Sequence, residues 1–311
     1  MNLYKLNDNN ILPLSDIIAT IGMFDGVHIG HGKILSFLKE KAAELGLTPL
    51  VLTFDKHPRH VLMNDADNFK LLNTSEERYS LLQSHGIDNI MEIGFSPEIG
   101  SLSTYDFSLR YLVNTLHIKA LVVGYDNMFG NKQINDFNRI YELGKAYNFS
   151  IFEATSLIYK DIEVSSTQVR KALNTGDVEL ANAMLGYKYF AHGCIIKGRQ
   201  IGRTIGFPTA NIELSDHLKM LPKEGVYATS INLNGKNYIG MAHIGPTPTF
   251  ESYKPTFEIH IIDFNGDIYG QHIEVQFLKR IREIQKFESS QALMVQLEAD
   301  KKQCIQLSQL L

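Results

Sequence analysis

The chain has 311 residues, of which 44% are hydrophobic and 21% charged, a balance typical of a globular protein with two ordinary domains. A net charge of −4 without a basic stripe argues against a nucleic-acid partner, and two cysteines are too few for a Cys-rich zinc site or a disulfide framework. No apolar run reaches the roughly 20 residues of a membrane span, and the N-terminus has no secretory leader pattern, so we expect a cytoplasmic protein without a membrane partner.

The first part of the chain alternates short apolar runs with helical patterns. The predicted strands are residues 16–22, 48–54, 89–95, 119–125 and 150–154. The predicted helices are residues 31–45, 75–83, 104–116, 136–147, 167–174 and 178–184. Strands that alternate with helices predict a doubly wound parallel sheet, which binds its ligands at the carboxyl ends of the strands.

The pattern changes near Gly186, where β-rich segments and turn signals begin. Two Asn-Gly pairs each separate two apolar segments, as in β-hairpins. The segments are 226–233 and 238–244 for the first pair, and 257–264 and 268–277 for the second. A helix predicted over 290–310 ends the chain. The expected architecture is an α/β parallel-sheet domain over residues 1–186, followed by an antiparallel β-barrel domain with a terminal helix over residues 187–311.

The most specific motif is GMFDGVHIGH over residues 22–31, between the first predicted strand and the first predicted helix. Free backbone N–H groups and the positive end of the helix dipole meet there, which favours phosphate binding. His28 and His31 are three residues apart, so both imidazoles can face one side of the first turn and donate hydrogen bonds to triphosphate oxygens. A glycine-rich turn with two surface histidines is the alternative. The motif also supplies the predicted nucleotide-binding residues Gly22, Phe24, Asp25 and Gly26.

A second motif, VSSTQVR over residues 164–170, places hydroxyls and a guanidinium at a helix start. Alone it would be interpreted as a helix N-cap. Paired with the first motif, Ser166, Thr167 and Arg170 are interpreted as the second half of a nucleotidyltransferase site. The His-Ile-Gly-His sequence also occurs in class I aminoacyl-tRNA synthetases, but the K-M-S-K-S motif that normally accompanies it is missing from this sequence.

Together these motifs resemble the adenylyltransferase module of bacterial bifunctional riboflavin kinase/FMN adenylyltransferases, also called FAD synthetases. The segments TFDKHP (53–58), LLNTSEER (71–78) and VGYDNMFG (123–130) are similar to further family motifs. The resemblance implies that an FMN phosphate oxygen attacks the α-phosphorus of ATP, with Mg²⁺ bridging phosphate oxygens. It implies that His57 contacts the phosphates or FMN, and that Asp126 and Phe129 contact the flavin.

A glycine-rich segment, GRQIGRTIGFPTAN over residues 198–211, opens the barrel part and resembles the riboflavin kinase signature. It lacks the G-K-[ST] of a Walker A loop, but its glycines at four-residue spacing suit a loop that wraps a phosphate. Thr209 and Asn211 share one face of an extended chain, so their oxygens can hold Mg²⁺. The predicted nucleotide-binding residues of this segment are Gly198, Gly202, Arg203, Gly206 and Pro208.

The segment TFEIHIIDF over residues 256–264 resembles the E-x-H-x-x-D-F motif of the kinase. Glu258 is the candidate general base for the terminal ribityl hydroxyl, and Asp263 is a weaker candidate because it can serve the adjacent turn. The resemblance near the C-terminus assigns Arg280 to flavin binding.

The resemblance covers roughly residues 16–300 and implies a bifunctional enzyme that phosphorylates riboflavin to FMN with ATP and then adenylylates FMN to FAD. Among the positions that depart from the family pattern, four put an activity in question: Asn127, Gln133, His243 and Thr247. They leave two alternatives, namely an enzyme that retained one activity and a non-catalytic flavin-binding regulator. The sequence leaves open the oligomeric state, FMN transfer between sites and the preferred redox state of the flavin.

Overall fold

A computed structural model describes residues 1–6, 13–63, 69–124, 137–198, 202, 205–246 and 256–308. The chain divides into two compact units, Met1–Ser166 and Thr167–Leu311. The sequence predicted a boundary after residue 186, which lies later in the chain than this division. The two helices between the two boundaries, Ser166–Thr175 and Val178–Leu185, lie almost wholly in the second unit. Within the described ranges, no helix has both the length and the apolar character that crossing a membrane requires.

The first unit is built on a six-stranded parallel sheet with the strand order β1-β4-β3-β2-β5-β6. Its strands are β1 (Asn2–Lys5), β2 (Ile17–Ile21), β3 (Thr48–Phe54), β4 (Asn89–Ile93), β5 (Ala120–Gly124) and β6 (Ser150–Ala154). Its helices are α1 (Ile29–Leu45), α2 (Pro58–Leu62), α3 (Ser75–Ser84), α4 (Pro97–Ser101), α5 (Thr104–Phe107) and α6 (Phe137–Tyr147). A short hairpin of β7 (Ile158–Tyr159) and β8 (Ile162–Glu163) follows.

The core lies on both faces of this sheet, which explains why its strands are continuous apolar runs. Every residue of β2 is buried. Ile17, Ala19 and Ile21 belong to one hydrophobic cluster, whereas Ile18 belongs to another. This arrangement confirms the predicted doubly wound class, because alternate residues of a strand point to opposite faces.

The strand order places a crevice at the carboxyl ends of β2 and β5. From β2 the chain runs through β3 to β4 on one side of the sheet, and later through β5 to β6 on the other. Ligands of open α/β sheets bind where the strand order reverses in this way. The segment that follows β2 is the GMFDGVHIGH motif, so the fold positions that motif at the expected ligand-binding edge.

One predicted helix has a different form. Residues 104–116 were expected to form a single α-helix, but α5 passes into a π-helical segment, Ser108–Val113. The N–H of Asn114 donates to the carbonyl of Leu109, and that of Leu116 to the carbonyl of Tyr111. The wider turn lets Phe107, Tyr111 and Leu112 all reach the core, so packing prevails over regular helix geometry.

The second unit is a closed barrel of six antiparallel strands, in the order β10-β13-β12-β11-β14-β9, with a long terminal helix. Helices α7 (Ser166–Thr175) and α8 (Val178–Leu185) precede it. Its strands are β9 (Phe190–Ile196), β10 (Ala210–Leu214), β11 (Gly225–Leu233), β12 (Lys236–Gly245), β13 (Thr256–Ile261) and β14 (His272–Arg282). The terminal helix is α9 (Ser290–Ser308). The predicted antiparallel barrel with a terminal helix is confirmed, and the first predicted hairpin corresponds to β11 and β12. The second predicted hairpin is wrong, because β13 pairs with β10 and β12 whereas β14 pairs with β11 and β9.

Side chains alternate between the barrel interior and an outer face covered by α9. Tyr227 and Phe257 contact Phe277 in the interior. Val226 and Met241 instead pack with residues of α9, such as Cys304. This alternation places Glu258 and His260 on the outer face of β13, beneath the terminal helix.

Candidate active sites

A strained turn connects β2 to α1 in the first unit. Phe24 and Val27 have φ angles of 50° and 33°, in the left-handed region that non-glycine residues rarely adopt. Both side chains are buried, at 1% and 0% exposure, so core packing holds the strained conformation. Gly22 donates its N–H to the carbonyl of Leu52 at 3.0 Å, and Gly26 supplies a further positive φ of 84°. The turn places His28 at the N-terminus of α1.

His28 and His31 form a stacked pair at the N-terminus of α1. The His28 ring accepts a hydrogen bond at Nδ1 from the backbone N–H of His31 at 3.2 Å, which makes His28 the N-cap. The two ring centroids are 3.7 Å apart, and the ring of Phe24 lies 5.1 Å from that of His31. Because Nδ1 of His28 accepts, its neutral ring carries the proton on Nε2, where it can donate to a ligand.

Burial keeps both imidazoles neutral. It lowers the pKa of His28 to about 4 and the pKa of His31 well below its usual range. Close to neutral pH these rings can therefore donate hydrogen bonds to phosphate without carrying a positive charge themselves.

The stability of the protein is expected to decrease as the pH falls. Between the ordinary histidine pKa of 6.5 and the folded value of about 4, the unfolded chain binds a proton at His28 that the folded chain does not. The neutral ring of His28 therefore contributes roughly 3 kcal/mol to the free energy of unfolding above pH 6.5, and this contribution is lost as the pH falls from 6.5 to about 4. Urea denaturation at several pH values measures it. His28→Asn, which can keep the N-cap, should flatten the dependence, and an unchanged slope would contradict this assignment.

Gly30 and Ser166 hold the two sequence motifs together. A Cβ on Gly30 would lie 3.1 Å from Nδ1 of His28 and 3.4 Å from the carbonyl oxygen of Val164, so glycine permits this close approach. The hydroxyl of Ser166 donates to the backbone carbonyl of Asp25 at 2.7 Å. The other two predicted phosphate ligands of this motif, Thr167 and Arg170, follow on α7 in the second unit.

The carboxylate of Asp25 is engaged with the backbone. It is 3% exposed, and its Oδ1 accepts the N–H groups of Leu72 and Asn73 at 3.0 and 3.2 Å. These contacts support a positioning role, in which Asp25 holds the segment before α3 against the strained turn. Contact of this side chain with nucleotide stays a prediction.

Asp25→Ala is expected to lower the free energy of unfolding by roughly 1–3 kcal/mol, because two buried N–H groups lose their acceptor. Urea denaturation followed by circular dichroism measures the change. Asp25→Asn, which keeps one acceptor oxygen, serves as the matched control and should lose less stability. An alanine variant as stable as the parent protein would disprove the positioning role.

His57 comes from the same edge of the sheet, after β3. It caps α2 by accepting the N–H of Arg59 at 3.2 Å, and its ring lies 4.5 Å from that of Phe69. Arg78 also belongs to this edge of the sheet, although it was not predicted as a site residue: it is 1% exposed and donates to the carbonyl of Phe54 at 2.8 Å, where β3 ends. The TSEER segment contained Arg78, but nothing in the sequence indicated this partner.

A cavity of about 560 Å³ lies between the outer barrel wall and α9 in the second unit, and Glu258 lines it. The Glu258 carboxylate accepts hydrogen bonds from the hydroxyls of Thr209 at 3.3 Å and Thr256 at 3.4 Å. His260, on the same face, contacts the carbonyl oxygen of Pro208 through Nδ1 at 2.8 Å and thereby holds the glycine-rich segment. The structure thus brings the candidate base together with Thr209, as the sequence predicted for a kinase site.

Glycines allow the kinase segment to pack closely. A Cβ on Gly198 would lie 1.8 Å from Nδ2 of Asn211, and one on Gly202 would lie 2.2 Å from the carbonyl oxygen of Phe207. Gly206 has a φ of 82°. Close packing and a turn therefore account for these glycines structurally, and their contact with nucleotide stays a prediction. Arg203 lies outside the described residues.

Arg280 and Arg282 are placed differently. Arg280 packs against Gly176 and donates to the carbonyl of Glu224 at 2.6 Å, whereas Arg282 lines the cavity. The assignment of Arg280 to the flavin stays a prediction, and the sequence analysis did not identify Arg282. His243 also lines the cavity. Four further residues of the sequence analysis lie outside the described ranges, namely Asp126, Phe129 and the departures Asn127 and Gln133, and so does Thr247.

Comparisons with known proteins match both units. Residues 12–168 match the family model of FAD synthetase, and residues 185–308 match that of riboflavin kinase. A bifunctional riboflavin kinase/FMN adenylyltransferase of Haemophilus influenzae is 38% identical over 94% of both chains. The Bacillus subtilis protein of that name is 36% identical, with 93% of this chain and 91% of the relative covered.

A solved structure from Streptococcus pneumoniae, described as a macrolide-efflux protein, shares the fold over nearly all of both chains. It is 30% identical, with a TM-score of 0.87 and coverage of 96% of this chain and 97% of that one. The chain therefore belongs to a class of two-unit flavin-metabolising enzymes. The first unit is a parallel sheet of the nucleotidyltransferase type with a histidine pair at its switch point, and the second is a barrel whose cavity is lined by the Glu258 carboxylate. The chain belongs to the bifunctional riboflavin kinase/FMN adenylyltransferase family.

Proposed function

We propose that each unit carries out one of two consecutive steps of FAD formation. The chain is a riboflavin kinase and an FMN adenylyltransferase, with ATP as co-substrate and FMN and FAD as products. The match of both family models, one to each part of the chain, is the observation that carries this conclusion. The predictions of a cytoplasmic location and of no nucleic-acid partner remain expectations from the sequence.

In the kinase step, Glu258 acts as general base. The Thr209 and Thr256 hydroxyls hold its carboxylate in the cavity wall. It can then take the proton of the terminal ribityl hydroxyl as that oxygen attacks the γ-phosphorus of ATP and the bond to the leaving ADP breaks. Positioning of the two substrates supplies much of the remaining rate enhancement. Gly198, Gly202, Gly206 and Pro208 would form the backbone around the ATP phosphates.

Thr209 and Asn211 fit the requirements of Mg²⁺. Both offer oxygen ligands, which hard cations prefer, and Asn211 pairs directly with Glu258 on the neighbouring strand. Among the described side chains, no group of three or more His, Cys, Asp or Glu residues could hold a metal ion. The Thr-Asn pair would therefore hold the cation together with phosphate oxygens of ATP. When bound, the cation would neutralise charge on the transferring phosphoryl group.

In the adenylyl step, the first unit holds ATP so that an FMN phosphate oxygen can reach the α-phosphorus. His28 caps α1 through its Nδ1, so its Nε2–H and the N-terminus of α1 would be the donors to the negative charge that develops on the leaving pyrophosphate. His31 supports His28 by ring stacking and lies close enough to bind the same phosphates. Ser166 and His57, also in the first unit, would complete the proposed phosphate site, and Thr167 and Arg170 of the second motif stay predicted phosphate ligands.

One assay distinguishes this function from the two alternatives. The purified protein is incubated with riboflavin, ATP and Mg²⁺, and FMN and FAD are followed by chromatography. Both products support the bifunctional enzyme. FMN alone, or FAD only when FMN is supplied, would show that one activity was retained, and flavin binding without turnover would show a regulator.

A further inference from the structure

Five residues form a continuous row across neighbouring barrel strands. Asn211 pairs with Glu258, Glu258 with His243, His243 with Val226, and Val226 with Arg282. Paired residues point to the same face, and all of the row except Asn211 lines the cavity. Neighbouring strands lie about 4.8 Å apart, so Glu258 and Arg282 are three strands, or roughly 14 Å, apart along the curved barrel wall. The candidate base and a guanidinium therefore lie toward opposite ends of one cavity.

Asp300, on helix α9, fixes the guanidinium of Arg282. Nε and Nη2 of Arg282 both contact the Asp300 carboxylate at 2.9 Å, and that side chain is 1% exposed. Gln296 donates to the same carboxylate at 2.8 Å, and Nη1 of Arg282 donates to the carbonyl of Glu283 at 3.0 Å. A guanidinium has five N–H donors, so each terminal nitrogen keeps one N–H without an acceptor among the described residues.

The surroundings of these N–H groups favour a flat, uncharged ligand. Val226, Ile284 and Phe287 border the cavity, and the Phe287 ring lies 5.6 Å from the Arg282 guanidinium. Because Asp300 already balances the positive charge, the remaining donors suit carbonyl oxygens better than a triphosphate. We propose that Arg282 binds the carbonyl edge of the isoalloxazine ring, and that Asp300 is the positioning residue that orients it. This inference rests on the proposed kinase function of the second unit.

Two variants test the proposal in the full-length protein. Asp300→Asn removes the charge that orients Arg282, and Arg282→Met combined with Asp300→Leu removes both charges while keeping apolar volume. Replacing a buried ion pair in this way is often neutral or stabilising, so the double variant should keep the thermal stability of the parent protein. Lys301→Met is the matched control, because it removes only the neighbouring exposed contact to Asp263 at 3.3 Å.

The expected result is a rise in the KM for riboflavin of roughly 10- to 100-fold in both variants, the loss expected for a charged hydrogen-bond donor. The KM for ATP, the kcat of the kinase and FAD formation from supplied FMN should stay unchanged, as should all constants of Lys301→Met. A double variant with the parent KM for riboflavin would show that the pair is only structural. A rise in the KM for ATP instead would assign Arg282 to the nucleotide.

Direct binding separates failure of this inference from failure of the kinase function. Riboflavin fluorescence is titrated with each protein, without ATP. If the parent protein forms no FMN, the proposed function fails, but weaker riboflavin binding by both variants still supports the role of Arg282. Equal riboflavin binding by parent and double variant overturns that role whether or not FMN is formed.

Discussion

Replacing Glu258 with glutamine is expected to lower the kcat of FMN formation by roughly 10²- to 10⁴-fold, the usual contribution of a general base. The glutamine amide keeps the size of the side chain and an oxygen that can accept from Thr209, so the cavity should persist. What is lost is the group that takes the ribityl proton. FAD formation from supplied FMN should continue, because the histidine pair lies in the other unit.

The measurement is a pair of assays on one preparation, riboflavin with ATP and FMN with ATP, both followed by chromatography. Glu274→Gln is the matched control, because Glu274 also lies on a barrel strand but contacts His192 and does not line the cavity. Parent-like FMN formation by Glu258→Gln would remove this residue from the mechanism. A loss of both activities would contradict the division of labour between the units.

His31→Ala is expected to have the opposite effect, a fall of roughly 10²- to 10³-fold in FAD formation with FMN formation unchanged. Two changes combine in this variant. The phosphate site loses one imidazole, and the ring of His28 loses the partner that stacks against it at 3.7 Å. His28 can then leave the orientation in which its Nε2–H serves the ligand.

His117→Asn is the control for this experiment. His117 lies in the same unit, is exposed and has a φ of 49°, which asparagine tolerates. FAD formation by the His117→Asn variant should match that of the parent protein. If His31→Ala retained FAD formation, the histidine pair would be a structural cap, and if it lost FMN formation as well, the two sites would not be independent.

The apolar runs of the sequence predicted most of the secondary structure because each central strand is buried on both faces. The prediction over 150–154 matches β6, and that over 16–22 encloses β2. The edge strand β1 was missed, since Leu3 is 40% exposed and the strand has no apolar run. Its pairing with β4 depends on backbone hydrogen bonds, which side-chain patterns do not reveal.

Side-chain partners were less accessible to sequence reasoning. The motif containing Asp25 indicated a phosphate site, but only the fold brings Leu72 and Asn73 to its carboxylate from 47 and 48 residues away. Thr209 and Glu258, separated by 49 residues, were predicted to share a site because both belong to motifs of one family. A family motif therefore substitutes for long-range contact information only where the contact belongs to the shared chemistry.

By itself, the sequence determined the alternation of the central strands and helices and the two fold classes, and it predicted two groups of reactive residues, because these depend on local periodicity and short motifs. Only the tertiary structure decided which arginine enters the cavity. Arg280 and Arg282 are two residues apart and would share a face of a regular strand. The pairing between β11 and β14 is irregular here: Arg282 pairs with Val226 and Arg280 with the next residue, Tyr227, so Ile281 is the extra residue of a bulge in β14 and the two side chains separate. Such a bulge follows from how neighbouring strands pack, and that information lies outside β14 itself.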